Sequence, residues 1–333
     1  MKAFIVNRYG KKEKLQLTHI AEPVVKENDV LVQVHSAGVN LLDSKIKAGE
    51  FKLILPYKAP FTLGHDVAGI VTKIGSRVSK FKVGDEVYSR PADHRIGTFA
   101  EYISIHENDV ALKPRNITMD EAASIPLVAL TAWQALVEIA NLKNGQKVFI
   151  QAGSGGVGTV AIQLAKHLGA TVATTASEKS FGLLKSLGAD ALIDYKNQDF
   201  EKILKDYDVV LNSQDNKTLE KSLRILKPNG KAISISGPPT PDFANAIGAP
   251  WLIKALISLL SSGIRKKAAK LGVQYSFLFM RADGMQLKEI TKLIESGVIN
   301  PVIDKTFPFE KTNEALTYVE SGRAKGKVII KVR

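Results

Sequence analysis

The chain has 333 residues, enough for two domains, and its 45% hydrophobic and 24% charged content excludes a disordered polymer. It contains no cysteine, which excludes disulfides, thiolate metal sites, iron–sulfur clusters and a cysteine nucleophile. The formal net charge is +13, but the basic residues are spread out apart from Arg265-Lys266-Lys267 and nearby Lys270. That pattern reads as a solvated basic face, able to attract a phosphate-rich cofactor, rather than a nucleic-acid site.

In chain order, Met1–Val6 reads as a strand too short for a signal-peptide core, so a cytoplasmic protein is expected. Val30–His35, Val67–Ile74, Glu86–Ser89 and Phe99–Ile105 follow as strands separated by Gly and Pro turns, the pattern of a partly closed barrel. Near residue 120 the pattern changes. Asp120-Glu121 opens a helical stretch, and Ala123–Asn141 is long and apolar. Strands at Lys147–Gln151, Thr171–Thr175, Ala191–Ile193, Asp208–Leu211 and Lys231–Ile235 then alternate with helical patterns at Gly156–Leu168 and Lys179–Leu187, which predicts a parallel sheet covered on both faces.

Pro238-Pro239-Thr240-Pro241 ends that run. Trp251–Leu260 reads as an apolar helix with a basic extension, suited to covering a pocket or lying on a membrane surface; the pocket cover is the preferred reading. No stretch is long enough to span a bilayer. Gln274–Met280 reads as the last strand of the sheet, followed by a helix at Gly284–Ser296, a strand near Val302, a helix at Lys311–Ser321 and a strand at Lys327–Val332.

The most specific local motif is Gln151-Ala152-Gly153-Ser154-Gly155-Gly156-Val157-Gly158, in which Gly153, Gly155 and Gly158 give the spacing G-x-G-x-x-G between a strand and a helix. The glycines let the backbone approach a diphosphate, and the helix start offers free N–H groups and a positive dipole end. A site for NADH places an acid after the next strand. Here Ser177 and Lys179 stand there, suited to a 2′-phosphate, with Glu178 between them, so NADPH is the expected cofactor.

The whole chain resembles the medium-chain dehydrogenase/reductase superfamily, and within it the zinc-free quinone oxidoreductases and enone (alkenal) reductases. The motifs that carry the resemblance are Ala37–Asp43, Gly64–Gly69, Val83–Tyr88, Gly97–Tyr102, Leu130-Thr131-Ala132, the glycine loop and Gly322–Val328. It implies an α/β protein: a GroES-like β-barrel domain built from residues 1–121 with 282–333, and a Rossmann-type parallel-sheet domain at 122–281, with the cofactor in the cleft. Positions matching the family's usual nucleotide contacts are Thr131, Ser154 to Val157, Ser177, Lys179, Tyr195, Asn212, Ser236, Gly237 and Lys327. The resemblance also implies a homodimer, joined through the sheet edge at Ser276–Met280.

The zinc enzymes of that superfamily hold their metal with cysteine and histidine. Here the first ligand position carries Asn40, and His65-Asp66 is what remains of a Gly-His-Glu pattern, so no metal is expected and His65 reads as a hydrogen-bonding residue. Without a Lewis acid, simple alcohol oxidation is poorly served, whereas an enone or quinone is already electrophilic. The expected activity is therefore hydride transfer from NADPH to an α,β-unsaturated carbonyl or a quinone. Asn40, Asp43 and Lys45 follow one strand with a spacing that recurs in related enone reductases. Asn40 is assigned to the substrate or carboxamide, Lys45 to the ribose hydroxyl or proton delivery, and Asp43 to orienting its neighbours. Lys45 stands where many quinone oxidoreductases carry tyrosine, which shifts the expectation towards enones. Tyr57, Trp251, Phe277, Phe279 and Met280 are candidate pocket walls. Alternative readings are a non-enzymatic NADPH- or RNA-binding protein, and an enoyl-thioester reductase whose long pocket would use the 251–260 segment.

Overall fold

A computed structural model describes residues 1–333, which divide into two compact units: 1–130 with 281–333, and 131–280. In the first unit β1 (Lys2–Val6) pairs β2 (Gln16–His19) on one side and β4 (Phe61–Thr62) on the other, forming a small antiparallel sheet. The larger sheet is organised on β3 (Asp29–Val39), whose side chains are buried almost throughout. Two bulges, near Leu31/Val32 and Val34/Ser36, interrupt its pairing with β5 (Asp66–Ile74), and such bulges bend a strand. β6 (Glu86–Ser89) pairs β5, β7 (Tyr102–His106) pairs the first half of β3, and β8 (Val110–Leu112) pairs β6.

After β3 the chain turns directly into α1 (Leu41–Ala48), which stops at Gly49 in the left-handed conformation (φ 87°). α2 (Met119–Ala123) carries a capping box between Thr118 and Glu121 and packs on β3 and β5. The turn of pattern near residue 120 thus precedes the break between units, which falls after Leu130.

The long apolar stretch is not one helix. Pro126 has no N–H to continue α2 and restricts the residue before it. A separate helix, α3 (Pro126–Trp133), begins there and passes into a π-helical turn at Gln134–Ile139. In the second unit β9 (Lys147–Ile150), α4 (Gly156–His167), β10 (Thr171–Ala176), α5 (Phe181–Ser186), β11 (Ala191–Asp194), α6 (Phe200–Ile203), β12 (Tyr207–Asn212), α7 (Asn216–Arg224) and β13 (Leu226–Ser234) alternate strictly. α8 (Pro241–Ala246) and α9 (Trp251–Lys270) precede β14 (Gln274–Phe277). The six strands are parallel, in the order β11-β10-β9-β12-β13-β14. The sequence runs outward from β9 in both directions, so the order reverses beside it, which is the doubly wound arrangement.

The chain then returns to the first unit with α10 (Gly284–Glu295), β15 (Ile303–Pro308), α11 (Thr312–Glu320) and β16 (Lys327–Lys331). β16 pairs the second half of β3, so the larger sheet reads β15-β16-β3-β5-β6-β8. Its core collects Val30, Val32, Val34, Val67, Val71, Ile105, Val328 and Ile330 from neighbouring strands, while Phe149, Val210, Leu219, Ile264 and Val273 belong to the core of the second unit. No helix is long and apolar enough to cross a membrane.

Candidate functional site

Every residue that the sequence assigns to the nucleotide in the second unit, Thr131 excepted, follows the carboxyl end of a strand. The glycine loop leaves β9, Ser177 and Lys179 leave β10, Tyr195 leaves β11, Asn212 ends β12, and Ser236-Gly237 follows β13. In open α/β sheets this is the edge where ligands bind, at the point where strand order reverses.

The loop shows why glycine stands at particular positions. A Cβ on Gly153 would lie 2.2 Å from Thr174 Oγ1, and one on Gly158 would lie 2.6 Å from both the Ala152 carbonyl oxygen and the Gly153 Cα. The two glycines therefore let the loop close against β10 and let α4 start against the loop. The Gly153 N–H donates to the Thr175 carbonyl at 3.0 Å, and Ala152 N donates to Thr175 Oγ1 at 3.1 Å. Gly155 is the N-cap of α4 and supplies no side-chain cap. The first-turn N–H groups at Gly156, Val157 and Gly158 thus have no side chain to satisfy them, which is what an incoming anion requires. Ser154 to Val157 are part-exposed, whereas Gly153 and Gly158 are buried.

Beyond β10, Ser177 caps a short 3₁₀ turn, Glu178–Ser180; Ser177 is half-buried, and Glu178 and Lys179 are exposed. The Tyr195 N–H donates to the Ala176 carbonyl at 3.3 Å, which brings Tyr195, 61% exposed, beside Ser177. Thr131 is buried in α3.

Asn212 is held differently from the others. It is wholly buried; its Nδ2 donates to Gln151 Oε1 at 2.7 Å, and its Oδ1 accepts from Ser234 Oγ at 2.6 Å and Ser236 Oγ at 3.3 Å. Gln151 Nε2 donates in turn to Ser222 Oγ at 2.6 Å, and the Gly237 N–H donates to Ser234 Oγ at 2.8 Å. Asn212 therefore ties together the loops that follow β9, β12 and β13. Sequence reasoning assigned no role to Gln151, the first residue of the glycine motif, nor to Ser222 and Ser234.

The proposed wall residues separate. Phe277 and Phe279 both pack against Phe243 of α8, with ring centroids at 5.1 and 5.8 Å, a partner that the sequence did not single out. Met280 is buried. Trp251 is 75% exposed at the start of α9 and is not drawn into that cluster.

In the first unit, one end of the larger sheet gathers a buried polar network. Asp66 opens β5, Lys327 opens β16, and Asn40 lies between the end of β3 and α1. Lys327 Nζ donates to Asp66 Oδ2 at 2.8 Å and to Asn40 Oδ1 at 2.5 Å. Asn40 Nδ2 donates to the same Asp66 oxygen at 2.9 Å, and Asp66 Oδ1 accepts from the Leu127 N–H at 2.7 Å. Asp43 Oδ2 accepts from the Asn40 N–H at 2.7 Å, and Asp43 Oδ1 lies 2.6 Å from His65 Nδ1. Asn40, Asp43, His65, Asp66 and Lys327 are all buried. Gly38 is required beneath them, because a Cβ there would lie 2.4 Å from the Ala123 carbonyl oxygen and 3.0 Å from Asp66 Oδ2.

Both ends of the Asn40 amide are engaged, its oxygen by Lys327 and its nitrogen by Asp66. Lys45 is half-buried on α1 and takes no part in the network. Tyr57 stacks on Phe61 at 5.1 Å and lies 5.7 Å from the His94 ring. Burial, and then nearby Asp93, push its phenol up to about 12, and its hydroxyl is buried without a hydrogen-bond partner.

A zinc ion does not fit these residues. His65 is the one imidazole in the network, the asparagine oxygen faces an ammonium, and Lys327 itself provides the positive charge beside Asp66. Zinc sites take thiolate, imidazole and carboxylate donors, three or four together.

Residues 26–115 match the family described as alcohol dehydrogenase GroES-like domain, and residues 187–330 match the family described as zinc-binding dehydrogenase. The chain is 37% identical to the 2-methylene-furan-3-one reductase of Solanum lycopersicum, over 99% of this chain and 79% of that protein. It is 36% identical to the mitochondrial NAD(P)H oxidoreductase RTN4IP1 of Homo sapiens, over 100% of this chain and 89% of that protein. Among solved structures, the quinone oxidoreductase from Coxiella burnetii superposes with a TM-score of 0.87 at 29% identity, covering 100% of this chain and 99% of that one.

Proposed function

Because this chain belongs to the medium-chain dehydrogenase/reductase superfamily, we propose that it is a metal-free reductase that uses NADPH to reduce an α,β-unsaturated carbonyl or a quinone. The observation that carries the reading is the uncapped, glycine-built start of α4 at the strand-order reversal, with Ser177 and Lys179 beyond the adjacent strand. The relatives named as an NAD(P)H oxidoreductase and a 2-methylene-furan-3-one reductase support it.

The nucleotide, when bound, supplies a hydride. The N–H groups at the start of α4 receive its diphosphate, where the helix dipole favours negative charge. Ser177 and Lys179 hold the 2′-phosphate as donor and cation, and Tyr195 packs on the adenosine side. Lys327, fixed by Asp66 and Asn40, provides a cation for the nicotinamide end. A cation fixed in place before reaction needs no reorganisation when charge develops on the acceptor. Lys45 serves the ribose hydroxyl or the returning proton. Tyr57 keeps its proton at any working pH. Two copies pair through the open edge of β14, leaving no unpaired strand at that side of the sheet.

The test is NADPH consumption by the purified protein with a short alkenal and, separately, a benzoquinone, each with and without a chelator. We expect turnover of the alkenal in excess of the quinone, and no effect of the chelator. Turnover of neither acceptor would overturn the reductase reading, and activity lost to the chelator and restored by zinc would overturn its metal-free form.

A further inference from the structure

α9 is anchored along one narrow seam. Ile257, Ser261, Ile264 and Ala268 are buried, spaced by four, three and four residues, which places them on one helical face. Its second half joins the core of the second unit through Ile264 and Ala268. Its first half rests on α8 and the turn after it, where Ile257 and Ile253 meet Ala244 and Ala249.

The opposite face is apolar and uncovered. Trp251 is 75% exposed and Leu259 71%, with Leu252, Leu256 and Leu260 exposed between and beside them. An outward stripe of this size on a folded domain marks an interaction surface. Further along the same face the character changes: Lys266, Lys267 and Lys270 are exposed, Lys267 pairing with Glu220 of α7. Arg265 is turned back along the helix, donating to the Ser258 carbonyl at 3.0 Å and to Ser261 Oγ at 3.2 Å. Between Asp242 and Asp283 the chain has no acidic residue.

We propose that α9 docks this protein on an anionic lipid surface, with Trp251, Leu252, Leu256, Leu259 and Leu260 entering the headgroup–acyl boundary and Lys266, Lys267 and Lys270 meeting acidic headgroups. An apolar face with tryptophan at one end and lysines at the other is what an interfacial helix needs. A second copy of the chain fits less well, because the same face offers only positive charge to its own like. The helix does not cross the bilayer. The proposal is independent of the reaction proposed above.

The test is flotation of the full chain with vesicles of phosphatidylcholine mixed with phosphatidylglycerol, against vesicles of phosphatidylcholine alone. Each basic residue near an acidic surface strengthens partition by roughly fivefold. The mixed vesicles should therefore retain the protein at least tenfold better at low salt, and the difference should fade as salt is added. The double substitution Leu252→Glu with Leu259→Glu should abolish flotation while leaving thermal unfolding and nucleotide binding unchanged, since both side chains already face solvent. Lys266→Gln with Lys270→Gln should weaken retention on mixed vesicles alone. Failure of the parent chain to float with mixed vesicles overturns the proposal, as does undiminished flotation of the leucine double variant. A change of the leucine variant from dimer to monomer in light scattering, with no flotation of the parent, assigns the face to a second copy instead.

Discussion

Asp29 shows how one residue's environment sets a pH response. It is 1% exposed at the start of β3 and faces Arg95, whose two terminal nitrogens lie 2.9 and 2.5 Å from its two oxygens, with Ser104 Oγ at 3.1 Å. Burial opposes its charge, but the guanidinium outweighs burial and holds the carboxyl below its ordinary value. Because the folded-state pKa lies below the unfolded one, the stabilisation is fully present above the unfolded pKa, near ~4, and is lost as pH falls through the folded value. Arg95→Ala should therefore cost about 2–3 kcal/mol at neutral pH by leaving a buried charge unpaired. In urea titrations the gap between variant and parent should shrink as the pH drops below about 4. A gap that stays constant into acid would mean that the arginine acts by packing alone.

At the scale of the element, the loop between β9 and α4 carries the nucleotide reading, and it is sterically intolerant. Gly153→Ala places a methyl 2.2 Å from Thr174 Oγ1, so loop or strand must shift. NADPH affinity, read by fluorescence titration, should fall at least tenfold, while the first unit, which shares no residue with this loop, keeps its fold. Affinity equal to the parent's would show that the loop is not the diphosphate site. Much at this scale was legible beforehand. Glu86–Ser89 and the start of β9 are where alternation and the Val83-Gly84-Asp85 turn put them. What stayed hidden had no periodic signal. Gln16–His19 is nearly all exposed and polar, yet forms β2 by pairing with β1, and the π-helical turn at Gln134–Ile139 reads as ordinary apolar helix. The polar network was only half visible for a related reason. Asn40 and Asp43 are close in sequence, but Asp66 and Lys327, the partners of Asn40, and His65, the partner of Asp43, arrive from far along the chain, and no spacing rule reports that.

The whole molecule contributes its charge. With a net charge of +13, it draws in polyanions at long range, an effect that salt screens. NADPH carries one phosphate more than NADH, so its KM should climb more steeply between low and physiological ionic strength. In Lys179→Ala the two slopes should converge, and NADPH affinity should fall about tenfold or more while that of NADH stays nearly level. Parallel slopes in the parent protein, or equal losses in the variant, would remove the 2′-phosphate from the reading of Ser177 and Lys179.

The contact between Lys327 and Asn40 joins residues 287 positions apart, and β16, the neighbour of the second half of β3, lies beyond the entire second unit. On a translating ribosome every strand of the parallel sheet is thus synthesised before β16 arrives to fill that half of the β3 edge. The nested unit therefore has all its strands in hand while the outer unit still lacks the one that completes its larger sheet.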